Sequence, residues 1–144
     1  MTTVNVYLTF DGQCREAFEL YKSALGGEFS YISTFGEMPP QGDQPLPDAL
    51  KDRIMHVSLP VSSETILMGS DSMPGMSPQI VMGNNFSVSL SPSSKEEADR
   101  LFAALGEGGT VTMPMQDQFW GAYFGMLTDK FGINWMFNYE YPRQ

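Results

Sequence analysis

Val4-Asn5-Val6-Tyr7-Leu8-Thr9-Phe10 sets Val4, Val6, Leu8 and Phe10 against Asn5, Tyr7 and Thr9, one apolar and one polar side. Seven residues of period-2 alternation describe a strand with one face on a core. Asp11-Gly12 turns the chain, and Ala17, Phe18, Tyr21, Ala24 and Leu25 then recur at helical spacing until Gly26-Gly27 stops them. Strands are expected over 28–35, 52–61 and 64–70. The second of these sets Met55, Val57 and Leu59 against Ile54, His56 and Ser58. Residues 36–52, with four of the ten prolines, read as loop, and 71–79, with Pro74, Gly75 and Pro78, as linker.

The order then recurs. Residues 85–91 alternate Phe86, Val88 and Leu90 with Ser87, Ser89 and Ser91. Ser93 or Ser94 can cap a helix whose Glu96 and Glu97 suit the positive end of its dipole. Its apolar residues Ala98, Leu101, Phe102 and Leu105 answer, 81 positions on, to Ala17, Leu20, Tyr21 and Ala24. Glycines follow at 106, 108 and 109, and strands fit 110–116, 121–128 and 133–140. The expectation is an α+β fold of two βαβββ modules, 1–78 and 79–144, within a single domain, 1–144. Helices cover the outer face of a curved, cup-shaped mixed sheet, and the polar alternates line its concave side.

The balance of charges narrows the function. Eight Lys and Arg against 17 Asp and Glu leave −9, which repels nucleic acid and anionic membrane surfaces. Hydrophobic residues make up 42% of the 144, enough for a core, but no apolar run nears the ~20 residues of a membrane span. The N-terminus lacks a basic stretch followed by an apolar signal core, so a cytoplasmic protein is expected. One cysteine, Cys14, allows no internal disulfide, and one histidine, His56, allows no multi-histidine metal site.

Several separated segments carry a resemblance. Tyr7-Leu8-Thr9-Phe10-Asp11-Gly12, Glu16-Ala17-Phe18-Glu19-Leu20-Tyr21 and Phe35-Gly36-Glu37-Met38-Pro39 are similar, in order, to the PhnB-like branch of the vicinal oxygen chelate superfamily. So are Gln118-Phe119-Trp120-Gly121 and Thr128-Asp129-Lys130-Phe131-Gly132, followed by Trp135-Met136. That superfamily includes glyoxalase I, extradiol dioxygenases and bleomycin-resistance proteins. The resemblance implies a divalent metal held by His and Glu from the first and last strands of each module. Here the matching positions fall on Asn5, Met68, Ser87 and Met136. A two-residue slip, the smallest that keeps side chains on the same face, reaches Tyr7, Ser70, Ser89 and Asn138. None supplies imidazole, carboxylate or thiolate, so no metal ligands and no cofactor are expected. Some PhnB-like proteins carry methyltransferase names, but no glycine-rich nucleotide loop follows the first strand here.

The candidate ligand-binding residues are Asn5, Tyr7, His56, Met68, Ser70, Ser87, Trp120, Met136 and Asn138. His56 is the best candidate for catalysis, as a general base; a hydrogen bond that fixes strand pairing is the commoner role. Glu140 and Asp71 are its possible carboxylate partners, with a solvated strand end and a turn as their ordinary roles. Trp120 and Tyr123 flank Gly121 and can close over a ligand or serve an interface. Cys14, at the first helix's start, stands where a dipole lowers a thiol's pKa, although most lone cysteines are inert. Three functions stay open. The first is a small neutral organic ligand bound without metal, with or without catalysis. The alternative is a metal-dependent glyoxalase- or dioxygenase-like lyase or isomerase, with an unconventional site around His56. The third is an interaction module without chemistry. A homodimer fits all three.

Overall fold

The computed structural model describes residues 2–39 and 45–143. Of the expected loop over 36–52, residues 40–44 lie outside the described residues. Short 3-10 turns at Phe35–Glu37 and Asp48–Leu50 occupy two parts of the remainder. The chain divides into two compact units, Met1–Val81 and Met82–Gln144.

The first unit runs β1 (Val6–Phe10), α1 (Cys14–Leu25), β2 (Tyr31–Thr34), β3 (Ile54–Pro60) and β4 (Ile66–Asp71). Its sheet has the order β1-β4-β3-β2, with β1 parallel to β4 and the other pairs antiparallel. The second runs β5 (Val88–Leu90), α2 (Lys95–Gly106), β6 (Thr110–Gln118), β7 (Ala122–Thr128) and β8 (Asn134–Glu140). Its order, β5-β8-β7-β6, has the same single parallel pair, β5 with β8. Both units are βαβββ and the fold is α+β, as the repeat predicts.

Helix α1 buries Cys14, Ala17, Phe18, Tyr21 and Ala24 along one stripe. Leu8, Phe10, Val57, Leu59 and Leu67 are buried with them. Gly69 makes the close approach possible: an added Cβ would lie 2.6 Å from Phe18 Cε1 and 2.8 Å from Leu8 O. Phe18 meets Phe10 and Tyr21 edge-on, with ring centroids 6.3 and 5.4 Å away. Gly26, at φ 84, ends the helix, its N–H donating to Lys22 O.

Three expectations about the core need correction. Val4 and Val6 are 90% and 37% exposed, because β1 begins only at Val6 and burial by α1 starts at Leu8. Phe86, 65% exposed, likewise precedes β5. In β3 the register slips between Ser33 and Thr34, which face His56 and Ile54 and skip Met55. Such a bulge reverses the alternation locally. Ile54 is therefore fully buried and Met55 is not, while His56 keeps the polar face with Ser58.

Ser94 caps α2 by accepting from Glu97 N at 3.1 Å, and Glu97 Oε2 accepts from the Ser93 N–H and hydroxyl at 2.8 and 2.7 Å. Those two bonds hold the Glu97 carboxyl below its ordinary pKa. Its contribution to stability is thus complete above the ordinary carboxylate range and is lost as pH falls through the depressed folded value. Ser94→Ala is expected to cost about 1 kcal/mol in urea unfolding at pH 7; an unchanged midpoint would dismiss the cap. Ala98, Leu101 and Leu105 of α2 are buried, as are Leu127, Trp135 and Phe137 of the sheet beneath.

Candidate functional site

The face of the first sheet turned away from α1 is built by cross-strand register. Tyr31 pairs with Ser58, Ser33 with His56, Ser58 with Met68, Tyr7 with Met68 and Thr9 with Ser70. Partners in register share a face, so these side chains form one surface, and none of them carries a formal charge.

His56 sits at its centre. Its Nδ1 lies 3.3 Å from the Tyr7 hydroxyl and its Nε2 2.9 Å from Ser58 Oγ. The rings of Tyr7 and Tyr31 flank it, with centroids 5.6 and 5.9 Å away. A neutral imidazole donates at one nitrogen and accepts at the other, and a hydroxyl can answer either way. Both partners thus fix the ring plane, and whichever hydroxyl accepts from the ring has its own proton free for a ligand. Tyr7 and Tyr31 are about half exposed, so the face is open. Ser33, 5% exposed, has a buried hydroxyl without a hydrogen-bond partner, a group that ordinarily finds one in water or a ligand.

The candidate carboxylates do not join His56. Asp71 turns to the opposite side of β4 and is buried; Oδ1 accepts from Gly12 N at 2.9 Å and Cys14 N at 3.0 Å, and Oδ2 from Ile54 N at 2.8 Å. It ties the start of α1 and the start of β3 to the end of β4, rather than reaching a rim. Glu140 is exposed at the end of β8. Cys14 is fully buried in the core, and burial, reinforced by Asp71, pushes its thiol far above the usual range. Burial prevails over the dipole at the helix start, and the thiolate is disfavoured.

In the second unit the corresponding face carries a row across four strands, Ser89–Met136–Met126–Met113. Asn138, Phe124 and Gln116 form the next row. Trp120, 53% exposed in the β6–β7 turn, meets Phe124 edge-on at 5.8 Å and so joins Met136 and Asn138 on one side. Ser87 lies just before β5, half-buried. Tyr123 does not accompany Trp120: its hydroxyl donates to Asp99 of α2 at 2.5 Å, which pushes its pKa up to about 12, and Lys95 Nζ lies 4.7 Å from its ring centroid.

The structure thus gathers Tyr7, His56, Met68 and Ser70 on one face, and Met136, Asn138 and Trp120 on another. Asn5 lies just before β1, exposed, its Oδ1 accepting from Ile66 N at 3.4 Å. Sequence reading missed Tyr31, Ser33, Phe124 and Met126. Alternation gives the parity of each, but pairing across strands requires register, which only a bulge-aware alignment of β2 on β3 and β6 on β7 supplies.

The divalent site that the resemblance implies finds no donors here. The four matched positions offer an amide, two thioethers and a hydroxyl, and the lone histidine is engaged by two hydroxyls. Among the described residues, no three His, Cys, Asp or Glu side chains form a metal-sized group. These residues do not fit zinc, nickel or iron.

Comparison with known proteins agrees with the fold. Residues 2–137 match the family model described as 3-demethylubiquinone-9 3-methyltransferase. The chain belongs to this family. Protein YjdN of Escherichia coli K12 is 36% identical over 92% of this PhnB-like chain and 91% of its own. The crystal structure of PA1353 from Pseudomonas aeruginosa is 44% identical, with a TM-score of 0.82 over 97% of this chain and 98% of that one. A PhnB protein from Bacillus cereus shares the fold at 23% identity and a TM-score of 0.74, covering 96% and 99%. A glyoxylase/bleomycin resistance protein/dioxygenase domain from Frankia sp. EAN1pec and a glyoxalase-related enzyme from Fulvimarina pelagi, 15% and 13% identical, share the fold. Among the described residues no helix is long and apolar enough to cross a membrane.

Proposed function

We propose that this PhnB-like protein binds a small neutral organic molecule on the His56 face, through hydroxyls and aromatic rings and without a divalent metal. The observation that carries the reading is an uncharged face, centred on a histidine held at both nitrogens by hydroxyls, in a chain of net charge −9. A phosphate or dicarboxylate would find no cation among the paired residues there, whereas a hydroxyl or carbonyl finds the hydroxyls of Tyr7 and Ser58. Asn5, Met68 and Ser70 extend the His56 face; Ser87, Trp120, Met136 and Asn138 belong to the second unit and offer a ligand apolar and amide contacts there.

The family's description names a methyltransferase, yet these residues lend that activity no support. Asp11-Gly12 after β1 is a single-glycine turn, and each sheet is mainly antiparallel rather than doubly wound. The proposal includes self-association: Phe119 and Trp120, 98% and 53% exposed, leave an apolar tip that a second copy would cover. It also places the protein in the cytoplasm, consistent with one buried, unpaired cysteine.

A thermal-shift screen in EDTA tests the binding reading. Neutral hydroxylated aromatics are expected to raise the melting temperature, since a ligand at 100 times its Kd adds about 2.7 kcal/mol to the folded state. His56→Ala and Tyr7→Phe are expected to remove the rise. A screen in which no such compound stabilises the protein, or in which His56→Ala responds like wild type, defeats the proposal.

A further inference from the structure

The second unit places Met113 on β6 opposite Met126 on β7, and Met126 opposite Met136 on β8. Opposed partners on one face of a regular ladder have Cβ atoms roughly 4.5–5.5 Å apart; β6 is irregular on both sides of Met113, which nonetheless stands opposite Met126. A methionine side chain turns about three bonds and ends in a polarizable thioether, so three neighbours in one row can aim their sulfurs at a common point above the central residue. The row is reachable, since Met113 is 39% exposed and neither Met126 nor Met136 is fully buried.

From this row we propose that the second unit binds a soft monovalent cation, copper(I) or silver(I), on the thioethers of Met113, Met126 and Met136. Thioether sulfur is a neutral, soft donor that selects such ions and holds zinc, magnesium or manganese poorly. No Lys or Arg is paired on this face, and the net charge of −9 favours a cation over an anion. In the next row stands Phe124, with Trp120 edge-on to it at 5.8 Å, so the methionine row is bordered by aromatic rings rather than by charged groups. The site does not use His56; it includes Met136, one of the four positions where the resemblance expects a metal ligand, and offers soft thioethers there in place of hard donors.

The test is a titration of the full chain with silver nitrate in chloride-free buffer, followed through the methyl signals of its eleven methionines. One equivalent is expected to shift Met113, Met126 and Met136 and to leave Met76, 79% exposed, where it was. Met126→Leu keeps the volume and removes the central sulfur; it is expected to weaken silver binding at least about tenfold, while Met76→Leu binds as wild type does. Copper(I) under reducing, anaerobic conditions is expected to shift the same three signals. Silver that moves Met76 as much as the row, settles on Cys14 instead, or binds Met126→Leu undiminished overturns the proposal. Should Met126→Leu fail to fold, the wild-type shifts alone decide it.

Discussion

Asp71→Ala is expected to lower the stability of the first unit by about 3–5 kcal/mol. The carboxylate is 4% exposed and accepts three backbone N–H groups, from Gly12, Cys14 and Ile54. Each buried N–H left without a partner costs about 1–3 kcal/mol, and alanine offers none of the three an acceptor. The site also replaces an ordinary helix cap: Gln13, at the N-cap of α1, makes no side-chain bond, so the carboxylate from β4 serves the first turn instead. Arg53 reinforces the corner by donating to Asp11 Oδ1 and Ser72 O, each at 2.9 Å. Urea unfolding of wild type, Asp71→Asn and Asp71→Ala measures the effect, with the amide variant falling between the other two. A loss below about 1 kcal/mol would mean that water enters and satisfies those groups.

Asp129→Ala is expected to cost the second unit about 3 kcal/mol. Asp129 is 3% exposed; Oδ1 accepts from Phe131 N and Ile133 N at 2.9 and 3.0 Å, and Oδ2 from the Trp135 indole N–H at 2.9 Å. This one side chain shapes the β7–β8 turn and anchors the largest fully buried residue of the core. With Trp120 replaced, Trp135 is the chain's single tryptophan, so the long-wavelength tryptophan bands in the near-ultraviolet circular dichroism of Asp129→Ala/Trp120→Phe report Trp135. Loss of that signal at lower denaturant than in Trp120→Phe is the expected result; coincident curves would contradict it.

These two aspartates show where sequence reading reached and where it stopped. Among the described residues, both helices and six of the eight strands follow from periodicity that burial enforces, as with Ala17, Phe18 and Tyr21 against Ala98, Leu101 and Leu105. Strands β2 and β5 are shorter than alternation suggests, since pairing rather than pattern sets their ends. Asp71 looked like a turn residue because it precedes Ser72-Met73-Pro74, and nothing local reveals three N–H donors arriving from two distant segments. Cys14 shows the same limit: its place at a helix start was legible, but the burial that governs its thiol depends on tertiary packing. His56 was legible as a member of the polar face, since parity survives the bulge at Met55 on its Ser58 side. Its partners Tyr7 and Ser58 required register.

The family resemblance placed the fold, while its metal ligands did not transfer. Asn5, Met68, Ser87 and Met136 stand where the resemblance expects imidazole and carboxylate. What the first unit offers instead is a hydroxyl-rich, uncharged surface around one imidazole, suited to hydrogen bonding and stacking.

Since His56 is the chain's single histidine, its ring signals are unambiguous in nuclear magnetic resonance. The decisive measurement follows the Nδ1 and Nε2 resonances of His56 during titration with a stabilising neutral ligand, in EDTA and then with zinc or manganese added. Both nitrogens are expected to shift with ligand in EDTA, as the Tyr7 and Ser58 hydroxyls reorient, and to be unaffected by the metal. A ligand that binds while His56 stays still, or that moves it only after a divalent ion is supplied, would contradict a metal-free site on this face.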